Sequence, residues 1–151
     1  MRRGNRGFAT LQLFLGGEAL STHRRILLVD DDDDIRQGAS LRLQAAGYQP
    51  ITACCGEEAV AAAVENRPDA IVLDVRMPRM DGLTALAQLQ QGEDTKHIPV
   101  VMLSASVGDR QASLEAGARF FLDKPYQGKT LLAAVETAIA ESAPSQKGEP
   151  T

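Results

Sequence analysis

The chain of 151 residues is 44% hydrophobic and 24% charged, enough apolar material for one globular domain with an ordinary core and no room for a second. Its net charge of -4 is unevenly placed: residues 1–25 hold five arginines (Arg2, Arg3, Arg6, Arg24, Arg25) against Glu18 alone, which leaves 11 basic and 19 acidic side chains in the rest. So acidic a folded part disfavours nucleic-acid binding and suits a cation, and no apolar run reaches the length of a membrane-spanning helix.

Residues 1–24 show no compact pattern. Phe8, Leu11 and Leu15 share one helical face, but Gly4, Gly7, Gly16 and Gly17 argue for a flexible extension. The stretch from Met1 to Leu15 faintly resembles a signal peptide, yet Thr10 and Gln12 break its apolar core and no clean cleavage site follows. Order is expected from Arg25, and a domain over 25–141. Ile26 to Val29 reads as a buried strand that ends in five aspartates, Asp30 to Asp34. Ile35, Ala39, Leu41 to Leu43, Ala45 and Ala46 then take helical spacing up to Gly47, with Asp32 to Asp34 where a helix start favours acids. Tyr48 to Ala53 is a second strand. Cys54 and Cys55 follow as adjacent residues expected on opposite faces, small apolar fillers in a reducing compartment, with no zinc-type spacing.

Gly56 to Glu65 reads as an alanine-rich helix. Ala70 to Leu73 is an apolar run behind Pro68 and Asp69, the pattern of a strand buried on both faces, and Asp74 follows where it runs out. Pro78 and Gly82 shape a turn into a helix over Gly82 to Gln91. Gly92 to His97 is a polar loop, Ile98 to Leu103 a fourth strand ending in Ser104, and Asp109 to Ala116 a helix. Ala118 to Leu122 is a fifth strand ending in Asp123-Lys124-Pro125. Gly128 to Glu141 is an amphipathic helix with Leu131, Leu132, Val135 and Ile139 inward, and residues 142–151 form a polar, flexible tail. Five strands alternating with five helices predict a doubly wound α/β fold with a parallel sheet.

In such a sheet all strand ends lie on one edge, so Asp30, Asp31, Asp74, Ser104 and Lys124 converge on the crevice where ligands bind. Clustered carboxylates repel, and a hard divalent cation with oxygen ligands relieves that. A phosphoryl group could complete the site, with Asp74 as nucleophile, Lys124 offsetting charge and the Ser104 hydroxyl donating a hydrogen bond. Taken singly, each residue is more simply a helix cap, a turn or a solvated face. The set on one edge is what points to chemistry.

The segments Ile26-Leu27-Leu28-Val29-Asp30-Asp31, Leu73-Asp74-Val75-Arg76-Met77-Pro78, Met80-Asp81-Gly82, Val101-Met102-Leu103-Ser104-Ala105, Ala116-Gly117-Ala118 and Lys124-Pro125 resemble the receiver domain of bacterial two-component response regulators. The resemblance covers about residues 24–141 in one continuous order. It implies a flavodoxin-like (βα)5 fold with strand order 2-1-3-4-5. It also implies Asp74 as phosphoacceptor, Mg²⁺ (or Mn²⁺) bound by Asp31, Asp74 and the Arg76 backbone carbonyl, and Asp30 reaching the metal through water. Lys124 is similar to the phosphate-contacting lysine, and Ser104 and Phe121 to the switch hydroxyl and switch aromatic. Arg76 and Ser106 fall where the family tunes dephosphorylation. Phe121 departs from the commoner tyrosine and cannot hydrogen-bond.

By this resemblance the chain is a cytoplasmic signalling module, not an enzyme. A sensor histidine kinase or phosphotransfer protein would supply the phosphoryl group, and the fourth helix, fifth strand and fifth helix would meet a protein target. A homodimer is compatible with the pattern, and direct nucleic-acid binding is not expected. The sequence contains no recognisable output domain, so a single-domain regulator, or a receiver excised from a hybrid kinase or multidomain regulator, fits. A non-phosphorylated scaffold of the same fold is the alternative, against which the complete acid, hydroxyl and lysine set stands. A haloacid-dehalogenase-like phosphatase would need an acid where Arg76 stands, and a nucleotide or flavin binder would need a Gly/Ser/Thr-rich loop in place of Asp30 to Asp34.

Overall fold

A computed structural model describes residues 24–142. The expectations for residues 1–23 and for the C-terminal tail from 143 onward lie outside the described residues. The elements in order are β1 (Arg25–Val29), α1 (Asp33–Ala45), β2 (Gln49–Ala53), α2 (Gly56–Asn66), β3 (Ala70–Asp74), α3 (Gly82–Gln91), β4 (Val100–Ser104), α4 (Asp109–Glu115), β5 (Phe120–Asp123) and α5 (Gly128–Ser142). The strands form one parallel sheet in the order β2-β1-β3-β4-β5, the doubly wound order expected from the sequence.

Alternation along the central strands divides the core in two, because successive side chains leave a strand on opposite faces. Leu27, Val29, Ile71, Leu73, Val100 and Met102 face one way and pack on Ala59 and Ala63 of α2 and Ala85, Leu86 and Leu89 of α3. Ile26, Leu28, Ala70, Val72, Val101 and Leu103 face the other way, against Ala39 and Leu43 of α1 and Leu131, Val135, Ala138 and Ile139 of α5. Each large side chain so buried contributes roughly 1.5–3 kcal/mol. All five residues of β3, Asp74 included, are buried.

Two strands start later than their apolar runs. The Ile98 amide donates to the Thr95 carbonyl, and Pro99 has no N–H, so the β4 ladder opens only at Val100. The Ala118 amide is likewise taken by the Ser113 carbonyl of α4, and β5 opens at Phe120. In α1 the inner face is Ala39 and Leu43, while Ile35 and Leu41 are exposed. Ile35 lines an open groove beside Ala105, Lys124 and Tyr126.

The cysteines correct the sequence reading in two respects. Cys55 is buried as a filler, but Cys54 is exposed and its thiol donates to Glu58 Oε1 at 3.3 Å. Their ligand atoms, with one from Glu58, lie within 4.8 Å of one another. The chain has left β2 at Ala53, so strand alternation no longer separates the two side chains.

Candidate functional site

The carboxyl ends of the strands meet on one edge, and the local sequence aims each side chain there. Asp30 follows β1 directly, and its amide is held by the Ala53 carbonyl at 3.3 Å. Its Oδ1 accepts from the Asp32 amide at 2.9 Å, and Arg36 Nη1 donates to its carbonyl at 2.7 Å. Asp32 caps α1 by accepting from the amides of Asp34 and Ile35, so this aspartate in the acidic run is spent on helix initiation. Asp31 is exposed at the mouth of the site.

Asp74 closes β3. Immediately beyond it the chain turns over Met77 to Asp81 and enters α3, and the Gly82 amide returns to the Val75 carbonyl at 2.7 Å. A Cβ on Gly82 would strike the Asp74 carbonyl and stand 2.8 Å from Val75 Cα, so only glycine lets α3 start this close to the phosphoacceptor candidate. The Lys124 amide donates to the Ser104 carbonyl at 2.9 Å, which carries the end of β5 toward β4 and β3. Lys124 Nζ then lies 3.0 Å from Asp74 Oδ2 and 3.5 Å from Asp30 Oδ2.

Three of the predicted residues thus form an ion cluster with almost no water on the acids: the Asp30 and Asp74 side chains are 3% and 5% exposed. Burial pushes the Asp74 carboxyl up from 3.8 to about 6; Lys124 works against the rise, and the charges of Asp30 and Asp31 add to it. Burial alone would lower the Lys124 ammonium, but its hydrogen bond to Asp74 and the charges of Asp74 and Asp30 outweigh that and hold it above its ordinary value. Lys124 is therefore a permanent cation here, and Asp74 is a carboxylate near neutral pH that stays unusually easy to protonate.

One ammonium cannot balance three carboxylates. Asp30, Asp31 and Asp74 each offer an oxygen within 4.8 Å of the others, and Asp30 Oδ2 is buried without a hydrogen-bond partner. Lys124 approaches that oxygen as an ion pair only. An all-oxygen set whose negative charge Lys124 offsets only in part, with an unsatisfied buried acceptor, fits a hard divalent cation such as Mg²⁺.

At the end of β4, the strand paired with β3, Ser104 is buried and its hydroxyl donates to Asp109 Oδ2 at 2.6 Å. Arg76 binds the same carboxylate through Nε at 2.9 Å and Nη2 at 3.0 Å, and Nη2 also reaches Ser106 Oγ at 3.2 Å. Burial works to raise the Asp109 carboxyl, but the hydrogen bonds from Ser104 and Arg76 outweigh it and keep the group below its ordinary value. Asp109 was not among the residues singled out by sequence. An acid opening a helix reads as a response to the helix dipole, and here it turns inward instead, five residues after Ser104. Phe121 is 5% exposed in the core cluster, paired in register with Met102, with the Arg110 guanidinium 5.0 Å from its ring centre.

The model of the response regulator receiver domain matches residues 26–136. The chain belongs to this family. The receiver is 43% identical over 120 residues to the transcriptional regulatory protein PrrA of Mycobacterium tuberculosis, covering 78% of this chain and 51% of that protein. It thus spans about half the length of the regulators it matches. Among solved structures, the receiver is similar to the chemotaxis protein CheY4 of Vibrio cholerae, at 37% identity and a TM-score of 0.72, over 76% of this chain and 98% of that one. It is also similar, at 31% identity and a TM-score of 0.73, to the receiver domain of the sensor histidine kinase PA1611 of Pseudomonas aeruginosa. That match covers 78% of this chain and 98% of the other, whose structure holds a magnesium ion in its active-site cleft. Among the described residues no helix is long and apolar enough to cross a membrane.

Proposed function

We propose that this receiver takes a phosphoryl group onto Asp74 from the phosphohistidine of a sensor histidine kinase or phosphotransfer protein. The observation that carries the reading is the buried Asp74 carboxylate at the end of β3, 3.0 Å from Lys124 Nζ and grouped with the oxygens of Asp30 and Asp31. An Asp74 oxygen attacks phosphorus, a P–O bond forms and the P–N bond to imidazole breaks. The imidazole nitrogen keeps the electron pair and takes a proton from solvent. Nucleophilic attack needs the carboxylate, and with the pKa near 6 most of Asp74 is ionised at neutral pH.

Lys124 stands where it offsets the negative charge of the incoming oxygens and then holds the product by an ion pair. The residues that would hold Mg²⁺ or Mn²⁺ are Asp30, Asp31 and Asp74, with the Arg76 carbonyl. When bound, such an ion neutralises charge on the transferring group. Ser104 serves as the switch hydroxyl, and Arg76 and Ser106, already joined to each other, border the phosphoryl group and govern its hydrolysis. The added charge draws Ser104 toward Asp74, and the face formed by α4, β5 and α5, with Phe121 behind it, changes shape for a protein target.

Incubation with phosphoramidate, which carries the same P–N bond, tests this by intact mass. One phosphoryl group should be gained with Mg²⁺, and none in EDTA or in Asp74→Asn. An equal gain in Asp74→Asn would overturn the assignment.

A further inference from the structure

Ser104 has a single hydroxyl proton, and Asp109 holds it. The Oγ donates to Asp109 Oδ2 at 2.6 Å and accepts from the Ser106 amide at 3.0 Å. Ser104 is 1% exposed and Asp109 is 6% exposed, so the bond is made away from water. A phosphoryl group offers this serine acceptor oxygens and no donor, so it can engage Ser104 only by drawing the proton away from Asp109. Two anions compete for one donor.

We propose that Asp109 is a positioning residue that holds Ser104 in the unphosphorylated arrangement and competes with the aspartyl phosphate for its hydroxyl proton. The proposal rests on Asp74 being the phosphoacceptor and assigns a role to a residue outside that site. Arg76 makes the competition reversible. Its Nε and Nη2 bind both oxygens of Asp109, at 2.9 and 3.0 Å, so when Ser104 turns away the carboxylate keeps two charge-assisted donors. A buried carboxylate deprived of every donor would make that step far more costly. Because Asp109 is the first residue of α4, the bond also ties the end of β4 to that helix, and its release frees α4 from the strand that senses the phosphoryl group. Arg76 lies two residues past Asp74, so the loop carrying the acceptor also carries the clamp on its competitor.

The test is binding of beryllofluoride, a phosphoryl mimic, to the full chain in excess Mg²⁺. Removing one charge-assisted competitor should tighten binding about tenfold or more in Asp109→Ala. Asp109→Asn should fall between, since an amide oxygen accepts more weakly than a carboxylate. Ser104→Ala should weaken binding, and adding Asp109→Ala to it should change nothing further, an outcome that a merely structural Asp109 would not produce. Asp109→Asn keeps the side-chain shape and carries the test if the alanine variant fails to fold. Unchanged or weaker binding in Asp109→Asn, or the same gain with and without Ser104, would overturn the proposal. If the wild type binds no beryllofluoride in Mg²⁺, the phosphoacceptor reading fails first and the role of Asp109 falls with it.

Discussion

In the absence of divalent cations at about pH 8, Asp74→Asn is expected to stabilise the protein even though it removes one partner of an ion pair. The Asp74 carboxyl is raised from 3.8 to about 6, chiefly by burial and in spite of Lys124 at 3.0 Å. The sign follows from proton binding. Below the ordinary value the carboxyl is protonated in both folded and unfolded chains, and it costs nothing. Between the ordinary and the raised value the folded protein holds a proton that the unfolded chain has lost, so stability falls as pH rises through this window. Above the raised value the whole cost is present, at most about 3 kcal/mol for a shift of roughly two units. Asparagine imitates the protonated acid, so the variant should gain about 1–3 kcal/mol at pH 8, the lower end allowing for screening by water at the cluster. Urea denaturation in EDTA, followed by far-UV circular dichroism, measures the gain, which should shrink by more than half at about pH 4.5. A variant less stable than wild type at pH 8, or an equal gain at both values, would refute the account of a strained acidic cluster.

Asp31→Asn should weaken Mg²⁺ binding by on the order of tenfold or more in calorimetric titration, since a neutral amide replaces a charged ligand to a hard cation; unaltered affinity would remove Asp31 from the metal set. Gly82→Ala should cost more than about 2 kcal/mol in the same urea assay, because the added Cβ meets the Asp74 carbonyl and stands 2.8 Å from Val75 Cα, both backbone. Gly38→Ala, in α1 with nothing within 4 Å of the new Cβ, should instead gain about 0.5–1 kcal/mol.

The central strands and the edge they share were legible because the apolar runs Ile26 to Val29, Ala70 to Leu73 and Val100 to Leu103 each lead straight into a polar residue, and α3 was legible to both ends because Gly82 and Gly92 bracket it. Strand starts were less so. Ile98 and Ala118 look like strand residues by hydropathy, but their amides are claimed by local carbonyls, which no apolar pattern reveals. The direction of single side chains was the other limit. Asp32, Asp33 and Asp109 are all acids at a helix start, yet Asp32 caps α1, Asp33 pairs on the surface with Arg36, and Asp109 turns into the interior. What separates them is the neighbour that folding supplies: Ser104 and Arg76 reach Asp109 from two other segments. The same holds for Arg76, whose spacing from Asp74 gave its neighbourhood but not its partner.

The most direct test of the account is to map the phosphorylated residue. After treatment with phosphoramidate and Mg²⁺, borohydride reduction converts an aspartyl phosphate to homoserine, and peptide sequencing by mass spectrometry then reports its position. Homoserine at Asp74 and at no other aspartate is the predicted result. Conversion at Asp30, Asp31 or Asp109 with Asp74 intact would contradict it.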